Sequence, residues 1–238
     1  MQSLLNLIYP HQCAMCGTLV EGPGALCGPC WRDTPFIRGL VCDLCGAPLP
    51  GEDPGHGVHC DDCMSIARPW SRGRAAFLYR DRARRMVLSL KHADRLDLVR
   101  PAGRWLASAA APVLHEGQAI VPVPIHWTRR LRRRYNQAAL LALALARVTG
   151  ATPRPQALMR VRRTPVQDGM TVGQRFANQA DVIRPHPRHG TTLDGADVLL
   201  VDDVMTSGAT LAAATEACRA AGASSVSVAT LARVVKDA

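Results

Sequence analysis

Residues 198–211 read VLLVDDVMTSGATL, and several of them carry chemistry. Asp202 and Asp203 are adjacent carboxylates. Thr206, Ser207 and Thr210 surround the small residues Gly208 and Ala209. Small residues let a backbone approach a ligand closely, and successive N–H groups at a helix start form an anion site. The hydroxyls add hydrogen bonds to phosphate oxygens. Two carboxylates beside such a cradle repel its anion unless something lies between them. The adjacent hydroxyls of a sugar fit that place, and so does hydrated Mg²⁺, which takes one or two carboxylates together with substrate phosphates. The local chemistry is that of a site for a phosphorylated sugar. The plainer alternative is a strand, turn and helix with a capping Asp.

A second set of reactive residues lies near the N-terminus. Eight of nine cysteines form four C-x-x-C pairs: Cys13/Cys16, Cys27/Cys30, Cys42/Cys45 and Cys60/Cys63. That spacing lets two thiolates wrap one metal, and two such knuckles complete a tetrahedral Cys₄ zinc site. Two structural zinc ions are expected. Sequential ligation would use Cys13, Cys16, Cys27 and Cys30 for one and Cys42, Cys45, Cys60 and Cys63 for the other. Crossed ligation is equally consistent with the spacing. A disulfide framework is the rival, disfavoured by the cytoplasmic setting read below. His56 and His59 are bystanders, and Cys218 reads as a small buried residue in an alanine-rich helix.

Charge separates the chain into two parts. Residues 1–66 carry two basic and seven acidic residues, net −5, so residues 67–238 carry +15 of the total of +10. Loading eight thiolates with two Zn²⁺ would take the N-terminal part to about −9. A module this acidic is a poor grip for phosphate backbones, so polyanion contacts belong on the second part. A zinc-ribbon module over 1–66 followed by a second domain over 67–238 is therefore expected. The acidic module is read as structural or as a surface for a protein partner. No apolar run approaches the length of a membrane span, and MQSLLNLIYP lacks the basic lead of a signal peptide, so the chain reads as cytoplasmic.

These residues need a scaffold. Val198–Val201 is the short apolar run of a strand covered on both faces, with the two acids at its carboxyl end, where ligands bind in open α/β sheets. The helix after it runs to the glycine stop at Gly222. Strands are expected at 74–81, 119–126 and 225–234, and helices at 82–96, from 97 onward, and at 136–150. Met86, Val87, Leu90, Leu98, Trp105 and Leu106 are core candidates. Residues 151–180, rich in Pro and Gly, read as a long mobile loop. Alternating strands and helices imply an α/β fold with a mostly parallel sheet flanked by helices. HWTRRLRRRYNQ, 126–137, places five arginines beside Tyr135. It is either a solvated basic segment or a contact for pyrophosphate or nucleic acid, because Arg forks bind phosphate and Tyr stacks on bases. Lys91 and Lys236 are the two lysines among 29 basic residues. Lys91 marks either a site wanting a compact ammonium or an exposed helix position.

VLLVDDVMTSGAT resembles the phosphoribosyl-pyrophosphate (PRPP) motif of type I phosphoribosyltransferases. The whole chain resembles the ComF family of competence-associated proteins. The matching pieces are CAMCG with LCGPCW, CDLCGAPL with CDDC, SLKHAD, VPVPIHWTRRLRRRYNQA, RRTPVQDGMTVGQRFANQADV and VLLVDDVMTSGATL, in that order. Two departures occur: Arg134-Tyr135-Asn136-Gln137 stands for the usual Gly-Phe-Asn-Gln, and Ser207 for a Thr. The resemblance implies a double zinc ribbon before a type I phosphoribosyltransferase-like domain. It implies Asp202 and Asp203 on the ribose hydroxyls, with Mg²⁺ accompanying PRPP. Thr206, Ser207, Gly208, Ala209 and Thr210 would cradle the 5′-phosphate. Arg129, Arg130 and Lys91 would lie toward pyrophosphate. Arg132, Arg133 and Tyr135 are the candidates for single-stranded DNA. The implied setting is the handling of incoming DNA during natural transformation. Two functions follow: a phosphoribosyltransferase of unknown acceptor, or a non-catalytic PRPP- and DNA-binding adaptor for translocation or recombination proteins.

Overall fold

The computed structural model describes residues 10–92, 95–126, 135–164 and 169–235. Five strands form one parallel sheet: β1 (Gly73–Leu78), β2 (Ala119–Pro122), β3 (Thr152–Pro153), β6 (Asp197–Met205) and β7 (Ser225–Arg233). Their order across the sheet is β1-β7-β6-β2-β3. A small antiparallel pair, β4 (Leu158–Arg160) with β5 (Ile183–Pro185), stands apart. The helices are α1 (Gly28–Arg32), α2 (Asp61–Ser65), α3 (Asp81–His92), α4 (Val99–Ala110), α5 (Gln137–Thr149), α6 (Val172–Gln179) and α7 (Ala209–Ala220).

Strand β6 shows why its sequence is apolar without alternation. Val198 and Leu200 enter one core together with Leu211, Ala214 and Cys218 of α7. Leu199 and Val201 enter the other, with Met86 and Leu90 of α3, Leu106 of α4, and Leu141 and Leu145 of α5. All four strand residues are fully buried, as a strand sandwiched between helix layers requires. Leu98 and Leu106 join the second core as expected, with Trp105 packed at its margin.

The cysteine-rich segment is built onto this sheet. Cys42, Cys45 and Cys63 lie in the core on the α7 face, whereas Ala14, Met15 and Leu26 pack on the opposite face. The two ribbons thus straddle the β1 edge. Between them the chain pairs with β1: Ile37 N–H donates to the Ala76 carbonyl at 2.9 Å, Leu78 N–H to Pro35 at 2.9 Å, and Gly73 N–H to Asp43 at 2.7 Å. Gly46 has φ +69°, and a Cβ there would lie 2.6 Å from Ala75 N, so backbone meets backbone at this seam. Phe36 bridges Trp31 at 4.4 Å and Phe77 at 4.9 Å, and Phe77 meets Trp105 at 5.6 Å. An open sheet edge is thereby covered by the module beside it.

Several expected boundaries move. Strand β6 extends to Met205, so the acids lie inside it, because pairing with β7 continues through Asp202↔Thr230 to Met205↔Arg233. Strand β2 stops at Pro122 rather than 126. Helix α3 spans Asp81–His92 rather than 82–96, and Leu96–Leu98 forms a 3₁₀ turn. The expected long loop over 151–180 is corrected. It contains β3, β4 and α6, and α6 starts with a capping box between Thr171 and Gln174. Strands of two and three residues leave no hydrophobic period to read.

Candidate functional site

Strand β6 is paired on both sides up to Val201, where its register with β2 ends. Beyond that point only β7 continues alongside, and Asp202 and Asp203 fall here. One side of β6 is therefore released from the ladder at its carboxyl end. The Asp203 N–H donates to Asp202 Oδ1 at 2.8 Å. Asp203 Oδ2 lies 2.9 Å from Lys91 Nζ at the end of α3, and both side chains are mostly buried. Burial raises Asp202 to about 7, and the adjacent Asp203 charge adds to it. Lys91 and Arg160 oppose that shift. Two neighbouring carboxylates thus sit in different surroundings: one is paired with a lysine, the other is held well above the ordinary carboxylate range.

The turn after β6 presents backbone. Gly208 is the N-cap of α7 with φ +83°. A Cβ there would lie 2.7 Å from Arg68 Nη1 and 3.0 Å from Trp70 Cη2, so glycine is required both by conformation and by space. The first amides of α7 have no intrahelical acceptor, and Ala209 N–H is partly satisfied by Ser207 Oγ at 3.4 Å. The carbonyls behind the turn face inward. Arg233 Nη1 donates to the Thr206 carbonyl at 2.6 Å, and Arg68 Nη1 to that of Ser207. In a trans peptide the carbonyl and the following N–H point opposite ways. The amides of Ser207 and Gly208 therefore point away from the two guanidiniums, as a backbone anion nest requires.

The sequence-nominated residues are brought together in part. Lys91 meets Asp203, and the 206–210 turn follows the two acids at the end of β6. Arg129, Arg130, Arg132 and Arg133 lie outside the described residues, as do Arg134 and Lys236. Tyr135 is described, and its hydroxyl donates to the Leu90 carbonyl at 3.0 Å, bracing the helix end that carries Lys91. Asn136 links the end of β2 to α5: its side chain donates to the Val123 carbonyl at 3.0 Å and accepts from Ala138 N–H at 3.1 Å. Three arginines were not anticipated: Arg68, Arg160 and Arg233. Arg233 is 1% exposed. A lone charge closing the apolar run SVSVATLAR was the available signal for it.

The eight paired cysteines gather sequentially. Cys13, Cys16, Cys27 and Cys30 form one group and Cys42, Cys45, Cys60 and Cys63 the other, the sulfurs within each group lying within 4.8 Å of one another. None is in a disulfide. Zn–S bonds of about 2.3 Å at tetrahedral angles place sulfurs about 3.8 Å apart. Cys16–Cys27 and Cys45–Cys60 are each 3.6 Å apart, which fits. The sulfurs do not share charge well by themselves. Hydrogen bonding with Thr18 draws Cys16 down to about 6, whereas burial and its neighbouring thiols push Cys30 upward. A divalent cation removes that conflict by binding all four as thiolates.

Residues 4–64 match the family described as a double zinc ribbon domain, and residues 141–237 match the phosphoribosyl transferase domain. The chain is thus a double zinc ribbon joined to a phosphoribosyltransferase-type α/β domain. The two matches in this order, together with the relatives below, are consistent with the ComF family. Its relatives include DNA utilization protein YhgH of Salmonella typhimurium, 28% identical with 96% of this chain and 100% of the relative covered. Competence protein F of Haemophilus influenzae is 27% identical, covering 94% and 98%. Competence protein ComFC of Bacillus subtilis is 27% identical, covering 81% and 77%. Among solved structures, a hypoxanthine phosphoribosyltransferase from Staphylococcus aureus is 12% identical, covers 57% of this chain and 62% of that one, and has a TM-score of 0.36. No helix among the described residues is long and apolar enough to cross a membrane.

Proposed function

We propose that residues 67–238 bind PRPP and act as a phosphoribosyltransferase of ComF type, serving in the cytoplasm in the handling of incoming single-stranded DNA. The carrying observation is the Lys91–Asp203 pair beside Asp202, where β6 has left β2, followed directly by a glycine-capped helix start. The amides of Ser207 and Gly208, with the hydroxyls of Thr206, Ser207 and Thr210, receive the 5′-phosphate. Asp202 and Asp203 accept hydrogen bonds from the ribose hydroxyls. Lys91 leaves its pair with Asp203 in part to meet the pyrophosphate, and Arg129 and Arg130 belong toward that same end. Asp202 and Asp203, with oxygens of PRPP itself, would hold Mg²⁺, which would supply positive charge against that of the pyrophosphate. The bond that breaks joins ribose C1 to a pyrophosphate oxygen, which keeps the electron pair. The developing positive charge on the ring is stabilised by the nearby carboxylates.

The zinc-ribbon module, residues 1–66, holds two structural zinc ions and presents an acidic face to a protein partner. The names of the relatives support a role in DNA uptake or utilisation. The +15 charge on residues 67–238 favours a second reading, a PRPP- and DNA-binding adaptor without turnover. PRPP binding and pyrophosphate release, measured with candidate bases for wild type and for Asp202→Asn/Asp203→Asn, separate the two. Binding without release under every condition sinks the enzyme. Single-strand affinity against salt for Arg132→Ala/Arg133→Ala tests the basic segment, and an unchanged salt slope removes it from the interface.

A further inference from the structure

We propose that Arg68 and Arg233 are positioning residues that join the Cys42–Cys45–Cys60–Cys63 cluster to the Thr206–Thr210 turn. Metal in this one cluster and phosphate in the turn then reinforce each other. The inference rests on the turn's assignment as a phosphate site and deepens it.

Each guanidinium is held at both ends. Arg68 Nε donates to Cys63 Sγ at 3.4 Å, while its Nη1 holds the Ser207 carbonyl. Its plane lies 5.5 Å from the Trp70 ring, and Trp70 Nε1 in turn donates to Leu44 between Cys42 and Cys45. Arg233 Nη1 holds the Thr206 and Met205 carbonyls at 2.6 and 3.4 Å. Its Nη2 lies 3.5 Å from Asp62, the residue before Cys63. Of these, the Thr206 and Ser207 carbonyls set where the Ser207 and Gly208 amides point.

Charge supplies the linkage. Four thiolates around a divalent cation carry a net −2, which two guanidiniums balance. Arg68 Nη2 and Arg233 Nε are buried without a hydrogen-bond partner, so these cations rely on charge as well as on hydrogen bonds. Without an ion to hold its four sulfurs together, the cluster no longer fixes Cys63 Sγ, on which Arg68 is anchored. The guanidiniums then lose what anchors one end, and the carbonyls lose what orients them. The other cluster is an internal control. Its arginine, Arg82, lies 3.3 Å from Cys30 Sγ and pairs with Asp33 at 2.9 Å.

Binding linkage is reciprocal, so phosphate in the turn must tighten the metal. Full-length, zinc-loaded protein is challenged with a chromophoric chelator, with and without saturating PRPP or ribose 5-phosphate. One zinc per chain is expected to leave about five-fold more slowly with ligand, and the other at an unchanged rate. Arg68→Ala, checked to retain two zinc ions, should abolish the difference and weaken PRPP binding by about ten-fold. Arg68→Lys should restore part of each effect, and Arg82→Ala should preserve the difference. The proposal is overturned if wild type binds PRPP yet both zinc ions leave at ligand-independent rates, or if Arg68→Ala binds PRPP as wild type does. Failure of wild type to bind either sugar phosphate would instead overturn the site assignment, and the coupling with it. Should Arg68→Ala not fold, the wild-type release rates alone decide.

Discussion

Asp202 and Asp203 are chemically identical and adjacent, yet the fold gives them different surroundings. Lys91 pairs with Asp203, while burial and the Asp203 charge raise Asp202 to about 7. The consequence for stability has a definite sign. A carboxyl whose folded pKa lies above its unfolded value binds more protons when folded. Its contribution is fully present below pH ~4 and is lost as pH rises through about 7. Asp202→Asn should therefore stabilise the free protein at pH 8 by roughly 1–3 kcal/mol, with the gain vanishing toward pH 4. Urea denaturation of both proteins across pH checks this, and a pH-independent difference would refute it. PRPP affinity should run the other way, rising with pH to about 7 as Asp202 ionises to accept ribose hydroxyls.

The turn between β6 and α7 is where backbone conformation and side-chain space impose one residue. Gly208 combines φ +83° with a Cβ position 2.7 Å from Arg68 Nη1. Gly208→Ala should cost roughly 2–3 kcal/mol and weaken PRPP binding more than tenfold. Thermal unfolding and calorimetric titration read the two effects. An equally stable variant with unchanged affinity would show that the turn plays no part in the site. Strand β6 itself was legible as an apolar run, but its length was not. Acidic residues end an apolar run in sequence, whereas the ladder with β7 runs on past them, because backbone pairing is indifferent to side-chain polarity.

The whole molecule depends on its ribbons for more than metal binding. They supply the pairing partners of β1 at Gly73 and Leu78 and an aromatic seam from Trp31 through Phe36 and Phe77 to Trp105. Stripping metal should expose this edge. Hydrogen exchange at the Gly73 and Leu78 amides should accelerate at least tenfold, ahead of Val228 inside the sheet. Light scattering should rise with protein concentration as edges find one another. Unchanged protection at Gly73 and Leu78 after complete chelation would show that the seam holds without metal. Phe77→Ala, at a fully buried position, should cost about 3–5 kcal/mol by calorimetry.

Much of this protein could be read along the chain. C-x-x-C spacing, the acidic pair, the glycine turn and the strand–helix alternation are local patterns, and local geometry follows from neighbours in sequence. They sufficed for the fold class and the paired cysteine ribbons, and they nominated residues 202–210 as a candidate sugar-phosphate site. The choice of sequential over crossed cysteine groups required coordinates, because spacing alone permits both. So did the pairing of Lys91 with Asp203 and the raised pKa of Asp202, since burial and partners depend on distant segments. Arg68 and Arg233 were the least visible. Arg68 meets Ser207 across 139 residues and Arg233 meets Asp62 across 171, and no periodicity encodes a contact at that range. Only packing the second ribbon against the carboxyl end of β6 brings two basic side chains between a cysteine cluster and the 206–210 turn.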